Sequence, residues 1–214
     1  RRVHAYGAKI MMQIAYGGTK TTFEREGRTI FSPSAVPERK TGTVGVAMSP
    51  DDIRHLIDEY AQAAKRVRDS GFDAVEIHGG HSYLLNQFLS PYYNRRSDAY
   101  GGSPANRYRI VGDIIAAIRK AVGMHFPIWI KITCSDFFEG GLTFAESLDI
   151  CRRLQQSGID AIEVSGNIHG KAQQEIGLEW DGHVVRDGGY FLDYAKDIAD
   201  AVSVPVYVTG GFKD

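Results

Sequence analysis

Residues 72–83 read FDAVEIHGGHSY, and they join a short apolar run to a cluster of polar rings and glycines. The run from Phe72 to Ile77 is apolar enough to form a buried strand, and it ends abruptly. Two imidazoles and a phenol follow within six residues, with Gly79 and Gly80 between the two histidines. Parallel α/β folds keep their chemistry at strand ends, so this junction is the first candidate for a functional site.

The same junction recurs later in the chain and indicates a repeated unit. Residues 70–77 read SGFDAVEI, and residues 157–164 read SGIDAIEV, which is again a helix end followed by a strand. A repeat of this kind predicts an array of βα units. Alternation of helices with apolar strands predicts a parallel sheet that is covered on both faces.

The other elements are predicted from helix starts and apolar runs. Ser49-Pro50, Ser103-Pro104 and Thr143 each begin a helix, because Ser or Thr caps the first turn and Pro fits the first helical position. The predicted strands cover residues 8–14, 72–77, 127–133, 160–165 and 204–208, and the fourth linking helix covers residues 190–202. Val3 to Tyr6 is expected to be the last turn of a helix, with Gly7 as its left-handed cap.

The fold class predicted from this order is α/β, an incomplete (β/α)8 TIM barrel. A complete barrel needs ~250 residues, whereas this chain has 214 residues and about five strands. Residues 1–214 are therefore expected to be one partial domain from inside a longer protein, lacking the first strands and the last strand. A doubly wound sheet is the alternative, and the lack of a G-x-G-x-x-G run after an early strand disfavours it.

Composition bounds the environment and the partners. The formal net charge is −1, which gives no reason to expect nucleic acid or a membrane surface as a partner. Cys134 and Cys151 are too few for a disulfide framework, so a cytoplasmic location is expected. No apolar run approaches the ~20 residues of a membrane span.

Residues 15–48 form a long polar stretch without periodicity. Connections inside compact domains are short, so a loop of this length is expected to be functional. We expect an excursion, as a lid or a small hairpin, over the barrel mouth.

His78, His81 and Tyr83 have several interpretations. The two histidines are either ordinary loop residues, zinc ligands that would need a third partner, or two donors directed at one substrate oxygen. A neutral phenol can deliver a proton at neutral pH, so Tyr83 is either a proton donor or an aromatic plug under the loop.

Four further candidate residues lie on other predicted strands or directly after one. Lys131 sits in the middle of a strand, where an unpaired ammonium is rare, and Glu76, Glu163 or an electron-rich cofactor ring are its candidate partners. The Gln13 amide can donate and accept at the edge of a heterocycle. Gly210 and Gly211 follow the last strand, where they form either a tight turn or a backbone approach to a phosphate.

The run from residue 78 to residue 109 closely resembles the Old Yellow Enzyme family of flavin oxidoreductases. The resemblance is carried by HGGHSYLLNQFLSP at 78–91, NRRSD at 94–98, YGGS at 100–103 and NRYR at 106–109. It implies an FMN-binding barrel that uses NAD(P)H to reduce an activated C=C bond of a small-molecule substrate. No metal site is implied, and self-association into a homo-oligomer stays open.

The resemblance also implies roles for single residues. His78 and His81 would hold the carbonyl or nitro oxygen of the substrate, and Tyr83 would protonate the α-carbon. Gln13 and Lys131 would contact the flavin ring, where Lys131 replaces the usual arginine and loses its planar fork. Gly210 and Gly211 would approach the flavin phosphate.

Three alternatives accompany this interpretation. One is a 2,4-dienoyl-CoA reductase or an amine dehydrogenase, which would add a 4Fe-4S cluster on a C-terminal extension outside this chain. Another is a barrel scaffold or binding module without catalysis, and the last is a zinc hydrolase. The chain also differs from the family after Gln13, where Ala15-Tyr16-Gly17-Gly18 replaces the usual histidine.

Overall fold

A computed structural model describes residues 2–21, 29–166 and 189–212. Its strands are β1 (Met11–Ile14), β2 (Phe31–Ser32), β3 (Val46–Ala47), β4 (Ala74–Gly79), β5 (Ile128–Thr133), β6 (Ala161–Ser165) and β7 (Val206–Val208). Its α-helices are α1 (Pro50–Asp69), α2 (Leu84–Leu89), α3 (Pro104–Val122), α4 (Phe144–Gln156) and α5 (Leu192–Ala201).

The main sheet contains five parallel strands in the order β1-β4-β5-β6-β7. Each strand therefore lies beside the next main-sheet strand in the chain, and a helix covers each crossover. A doubly wound sheet reverses its strand order at a switch point, and this sheet has no reversal in the described part of the chain. The structure thus agrees with the predicted barrel segment and not with the alternative.

The predicted helix starts are confirmed by their hydrogen bonds. Ser49 forms a capping box with Asp52, and Thr143 forms one with Glu146. Ser103 accepts a hydrogen bond from the Asn106 backbone N–H. Capping groups satisfy N–H donors that the first helical turn leaves unpaired, so these starts are set locally by the sequence.

Two local predictions need correction. The turn before Gly7 is a 3-10 helix of three residues, His4–Tyr6, although Gly7 has the predicted left-handed φ of 72°. Between the strand predicted at 72–77 and the helix predicted to begin at Ser103, the sequence predicted a loop, but the structure has helix α2 there, whose six residues are all buried. Tertiary burial stabilises this short helix, which carries no Ser, Thr, Asp or Asn cap at its N-terminus.

The hydrophobic core lies between the helices and one face of the sheet. Alternate strand residues are fully or almost fully buried there, namely Val75, Ile77, Ile128, Ile130, Ile132, Ile162 and Val164. They pack with the inner residues of the helices, such as Ile53, Ile110, Ile114, Ile118, Ile150 and Leu154. Burying each such side chain contributes about 1.5–3 kcal/mol, so this face holds the sheet in register.

The opposite face of the same strands carries polar and charged side chains. Gln13 is in register with Glu76, and Lys131 is in register with both His78 and Glu163. Because side chains alternate along a strand, these residues share the face that lies away from the helices. The sheet therefore separates an apolar helix-side core from a polar inner layer.

Part of the excursion at residues 15–48 falls outside the described residues, which omit 22–28. Strands β2 and β3 pair in parallel, so their pairing is not that of a hairpin. The Lys20 ammonium donates to the His81 carbonyl oxygen at 2.6 Å, which joins the excursion to the turn after β4. Among the described helices, none combines the length and apolar character that crossing a membrane requires.

Candidate active site

The turn after β4 has an unusual backbone that tertiary hydrogen bonds maintain. His81 and Ser82 have φ values of 59° and 57°, which non-glycine residues adopt rarely. The His81 N–H donates to Thr133 Oγ1 at 2.9 Å, and the Ser82 N–H donates to Asn86 Oδ1 at 2.7 Å. The Gln87 amide donates to the Ser82 carbonyl at 2.6 Å. Strained backbone of this kind persists where the surroundings fix it, and it is common at functional sites.

This turn brings the three predicted rings together. The ring centroids of His78 and His81 are 5.0 Å apart, and the ring planes meet at 48°. The Tyr83 ring stands edge-on to His78 at 4.7 Å. His81 Nε2 lies 2.8 Å from Ser165 Oγ, which fixes its imidazole from strand β6.

His78 is a buried, neutral imidazole. Its side chain is 5% exposed, and its Nδ1 has no hydrogen-bond partner among the described residues. Burial, followed by the positive charges of Lys131 and Lys20, lowers the pKa of His78 to about 4. An unsatisfied buried polar atom costs about 1–3 kcal/mol, so a ligand that pairs with it is favoured.

A zinc site at His78 and His81 would need a third ligand, and the described residues offer none. Within residues 2–21, 29–166 and 189–212, no three His, Cys, Asp or Glu side chains are placed to hold a metal ion. The His81 ring meets the Ser165 hydroxyl instead.

Below the rings, a second layer of polar and charged side chains spans the four strands β1, β4, β5 and β6. Lys131 Nζ forms an ion pair with Glu163 Oε1 at 3.1 Å, so Glu163 and not Glu76 is its main partner. Gln13 Nε2 donates to Glu76 Oε2 at 2.5 Å, and the Thr209 hydroxyl donates to Glu163. Gln13 and Lys131 are therefore both on the inner face, as their predicted roles require.

Ser165, Thr133 and Lys20 also contact the candidate site, and none of them was predicted from the sequence. The internal repeat offered a signal for Ser165, since the repeated segment places it at the position that corresponds to His78. Thr133 is in register with Ser165 at the end of the neighbouring strand. Lys20 had no comparable signal, because its contact depends on how the excursion folds back.

Gly210 and Gly211 are explained by packing within the chain. Their φ values are 142° and 74°, a region that disfavours any side chain. A Cβ on Gly210 would lie 2.8 Å from ring carbons of Phe191 and Tyr190, and a Cβ on Gly211 would collide with the Tyr190 ring. The chain's own aromatic rings thus occupy the space that these glycines leave.

The residues from 94 to 109 support the site without entering it. Arg107 is 5% exposed, donates to the carbonyls of Leu89 and Gly102 at 2.8 and 2.7 Å, and pairs with Glu146. Asn94 donates to the carbonyls of Phe88 and Tyr100. These contacts fix α2 and the following loop, and thereby the turn that bears the rings.

A cavity of about 590 Å³ lies elsewhere, on the helix side of β1. It is lined mainly by apolar side chains of β1, the excursion and α1, including Ile14, Tyr16, Phe31, Leu56 and Tyr60. Ile14 neighbours Gln13 along the strand and faces the opposite side of the sheet. The cavity is therefore not part of the site that the three rings form.

Sequential parallel strands, with polar rings at the carboxyl end of β4, define the fold class as part of a (β/α)8 barrel. The model of the NADH:flavin oxidoreductase / NADH oxidase family matches residues 1–214, and the chain belongs to that family. It is 41% identical over 163 residues to an NADPH dehydrogenase of Geobacillus sp. (strain WCH70), covering 76% of this chain and 46% of that protein. It is 36% identical over 213 residues to an NADH oxidase of Thermoanaerobacter brockii, covering 99% of this chain and 32% of that protein.

Solved structures agree with the fold. A 2-naphthoyl-CoA reductase superimposes with a TM-score of 0.84 at 25% identity, over 96% of this chain and 32% of that one. An Old Yellow Enzyme homologue from Zymomonas mobilis gives a TM-score of 0.77 at 20% identity, over 98% of this chain and 59% of that one. The resemblance and the incomplete barrel are thus confirmed, and the chain spans half or less of the length of the two curated relatives described.

Family membership implies FMN as the cofactor and NAD(P)H as the reductant. The donors on the inner face fit the ring of FMN, because the exposed Gln13 amide keeps an oxygen acceptor and one N–H, and the Lys131 ammonium has three donors. Near Gly210 and Gly211, the aromatic rings of Tyr190 and Phe191 lie where side chains on these glycines would stand, and the contact of the two glycines with the flavin phosphate stays a prediction. The fit therefore concerns the ring end of the cofactor.

Proposed function

We propose that the whole protein reduces the activated C=C bond of an α,β-unsaturated carbonyl or nitro compound with electrons from NAD(P)H. FMN, when bound, accepts hydride from NAD(P)H and delivers it to the substrate. The observation that carries this proposal is the buried, neutral His78, which stands beside His81 and Tyr83 with an unpartnered ring nitrogen.

His78 and His81 would bind the substrate oxygen in this proposal. Negative charge develops on that oxygen when the β-carbon becomes electrophilic, and fixed donors stabilise it without reorganisation. The His81 ring is held by Ser165, and its backbone is held by Thr133. The two imidazoles would thus form a rigid clamp on one atom.

Tyr83 would supply the proton to the α-carbon. Its half-buried ring lies edge-on to His78, so its hydroxyl accompanies the clamp on the same turn. General acids of this kind contribute typically 10²–10⁴-fold to the rate.

Replacing Tyr83 by phenylalanine tests this role. We expect the reoxidation of reduced flavin by an enone to slow on the order of 10²-fold, because the proton donor is lost and the ring is kept. Reduction of the flavin by NAD(P)H should change little, and stopped-flow absorbance measures both half-reactions. The control is Tyr6→Phe, since Tyr6 is 89% exposed. An unchanged enone rate would assign protonation to water or to another group.

Residues 15–48 are proposed to act as a lid over the site. Lys20 supports this, because its ammonium donates to the His81 carbonyl and lies 5.8 Å from the centre of the Tyr83 ring. Burial lowers the pKa of Lys20 to about 8, so the ammonium is charged at pH 7 and loses its charge as the pH rises above 8.

The Lys20→Met variant is expected to bind a phenolic ligand about tenfold more weakly at pH 7, because a charged hydrogen bond contributes about 1.5–3 kcal/mol. Titration of the flavin absorbance with the ligand measures this affinity. Above pH 8 the wild-type affinity should approach that of the variant, since deprotonation removes the same charge. Lys65→Met on the exposed side of α1 is the control. Equal affinities of wild type and variant at pH 7 would argue against the lid contact.

A second candidate is an acyl-CoA reductase that also carries an iron–sulfur cluster. The superposition with a 2-naphthoyl-CoA reductase, of which this chain covers 32%, favours it. The absorbance spectrum of the whole protein separates the candidates. Flavin bands alone support the first proposal, flavin with an iron–sulfur contribution supports the second, and the lack of both leaves a barrel without this chemistry.

A further inference from the structure

Two carboxyl groups lie beneath the rings, the buried Glu76 on strand β4 and the partly buried Glu163 on strand β6. Glu76 is 3% exposed, and the Glu163 carboxyl group is among the charged neighbours that influence it. Gln13 donates to Glu76 Oε2, whereas Glu76 Oε1 has no donor among the described residues. Two adjacent carboxylates repel each other, so such a pair is stable only when it retains a proton.

The donors around the pair are distributed unequally. Glu163 accepts from the Lys131 ammonium and from the Thr209 hydroxyl, and both interactions favour its ionised form. Among the described residues, Glu76 accepts a hydrogen bond from the neutral Gln13 amide on Oε2, and its Oε1 is buried without a donor. A proton on Glu76 Oε1 would convert this repulsive contact into a hydrogen bond to Glu163.

We propose that Glu76 and Glu163 hold one proton between them, with Glu76 as the neutral acid, and that this pair is the positioning device for Lys131. Glu163 stays ionised and anchors the Lys131 ammonium on the inner face, in register with His78. The three groups then carry no net charge together. When the shared proton leaves to solvent, the cluster becomes negative and the two carboxylates repel each other.

The pKa values of the two carboxyl groups shift in opposite directions, as this arrangement of donors requires. Burial, and then the Glu163 side chain, raises the pKa of Glu76 to about 7. Hydrogen bonds from Glu76, Thr209 and Lys131 hold the pKa of Glu163 below its usual range against the effect of burial. The charged or titratable groups facing Glu76 are Glu163 and Lys131, with His78 two residues further along β4. The neutral Gln13 amide faces it from β1.

This inference goes beyond the proposed reaction, since it concerns residues that act through Lys131. Its consequence for stability has a definite sign. The pKa of Glu76 in the folded protein lies above the ordinary value of 4.5 for a glutamate, so the folded state retains the proton up to about pH 7. The folded state therefore loses stability as the pH rises from about 4.5 to 7, and the loss is complete above pH 7.

The experiment compares Glu76→Gln with wild type in the whole protein, by denaturant unfolding at pH 5, 6, 7 and 8. The glutamine amide imitates the neutral acid and does not titrate. We therefore expect the ratio of folding equilibrium constants, variant over wild type, to rise on the order of 10- to 100-fold from pH 5 to pH 8. Glu59→Gln on the exposed side of α1 is the matched control and should give a constant ratio.

Infrared spectroscopy gives a second readout that does not depend on stability. Wild type should show a protonated carboxyl band at pH 6 that Glu76→Gln lacks and that disappears above pH 8. Glu163→Gln should shift the loss of this band to lower pH, because the like charge is removed and Lys131 remains. A ratio that does not change with pH, or no such band at pH 6, would overturn the proposal. Either result leaves alkene reduction untouched, so failure here is distinct from failure of the proposed function.

Discussion

Replacing His78 by alanine is expected to slow alkene reduction by the whole protein about 10²–10³-fold, the cost of removing one oxyanion donor in a comparable site. The imidazole is 5% exposed and neutral, because burial and two nearby ammonium groups lower its pKa to about 4. In the proposed reaction the neutral imidazole would donate a hydrogen bond to the substrate oxygen throughout the neutral range. Its removal would then leave His81 as a single donor on that oxygen.

The measurement is anaerobic stopped flow, with reduced flavin mixed with an enone. Binding of a phenolic ligand to the oxidised protein should weaken in parallel, because the phenolate oxygen would occupy the same clamp. His125→Ala serves as the control, since His125 is exposed on the loop before β5. If His78→Ala reoxidised at the wild-type rate while retaining flavin, the oxygen clamp would have to be assigned to other residues.

Replacing Arg107 by alanine is expected to destabilise the fold by about 3–5 kcal/mol, the usual cost of removing one partner of a buried ion pair. Arg107 donates to the carbonyl of Leu89 at the end of α2 and to the carbonyl of Gly102 in the loop, and it pairs with Glu146. Its loss therefore leaves the buried Leu89 carbonyl and the Glu146 carboxylate without this donor. Denaturant unfolding of the whole protein at pH 7 measures this change.

Arg109→Ala is the matched control for Arg107. Arg109 is exposed and donates only to the Ala99 carbonyl among the hydrogen bonds recorded for it. Substitutions of this kind usually change stability by no more than about 0.5 kcal/mol. Equal losses in the two variants would mean that the loop after α2 does not depend on Arg107.

Arg107 belongs to the run from residue 78 to residue 109 that resembles the family most closely. Its second half, residues 94–109, holds backbone carbonyls of the loop and of α2 in place. In the first half, Asn86 and Gln87 of α2 anchor the turn at Ser82. The long motif thus consists of a short ring cluster and a larger frame that supports it.

The sequence alone determined the order of the five main-sheet strands and of the helices α1, α3, α4 and α5 between them, and the position of the candidate site along the chain. Capping residues such as Ser49 and Thr143 act within one turn, and apolar periodicity acts within one element, so both can be recognised without the rest of the molecule. The strand end at His78 follows from the same local signals. The family resemblance rests on a contiguous run, which is also a local property.

Only the tertiary structure decided which groups meet. Lys131 had two possible carboxyl partners, and strand register selected Glu163. Ser165, which contacts the His81 ring, is 84 positions from His81 in the sequence. Lys20, which donates to the His81 carbonyl, is 61 positions away. Such contacts depend on the register of neighbouring strands, where a shift of one residue reverses every side chain, and on how a long excursion folds back. The local pattern therefore located the rings, whereas the packing of distant segments fixed their partners and their charge.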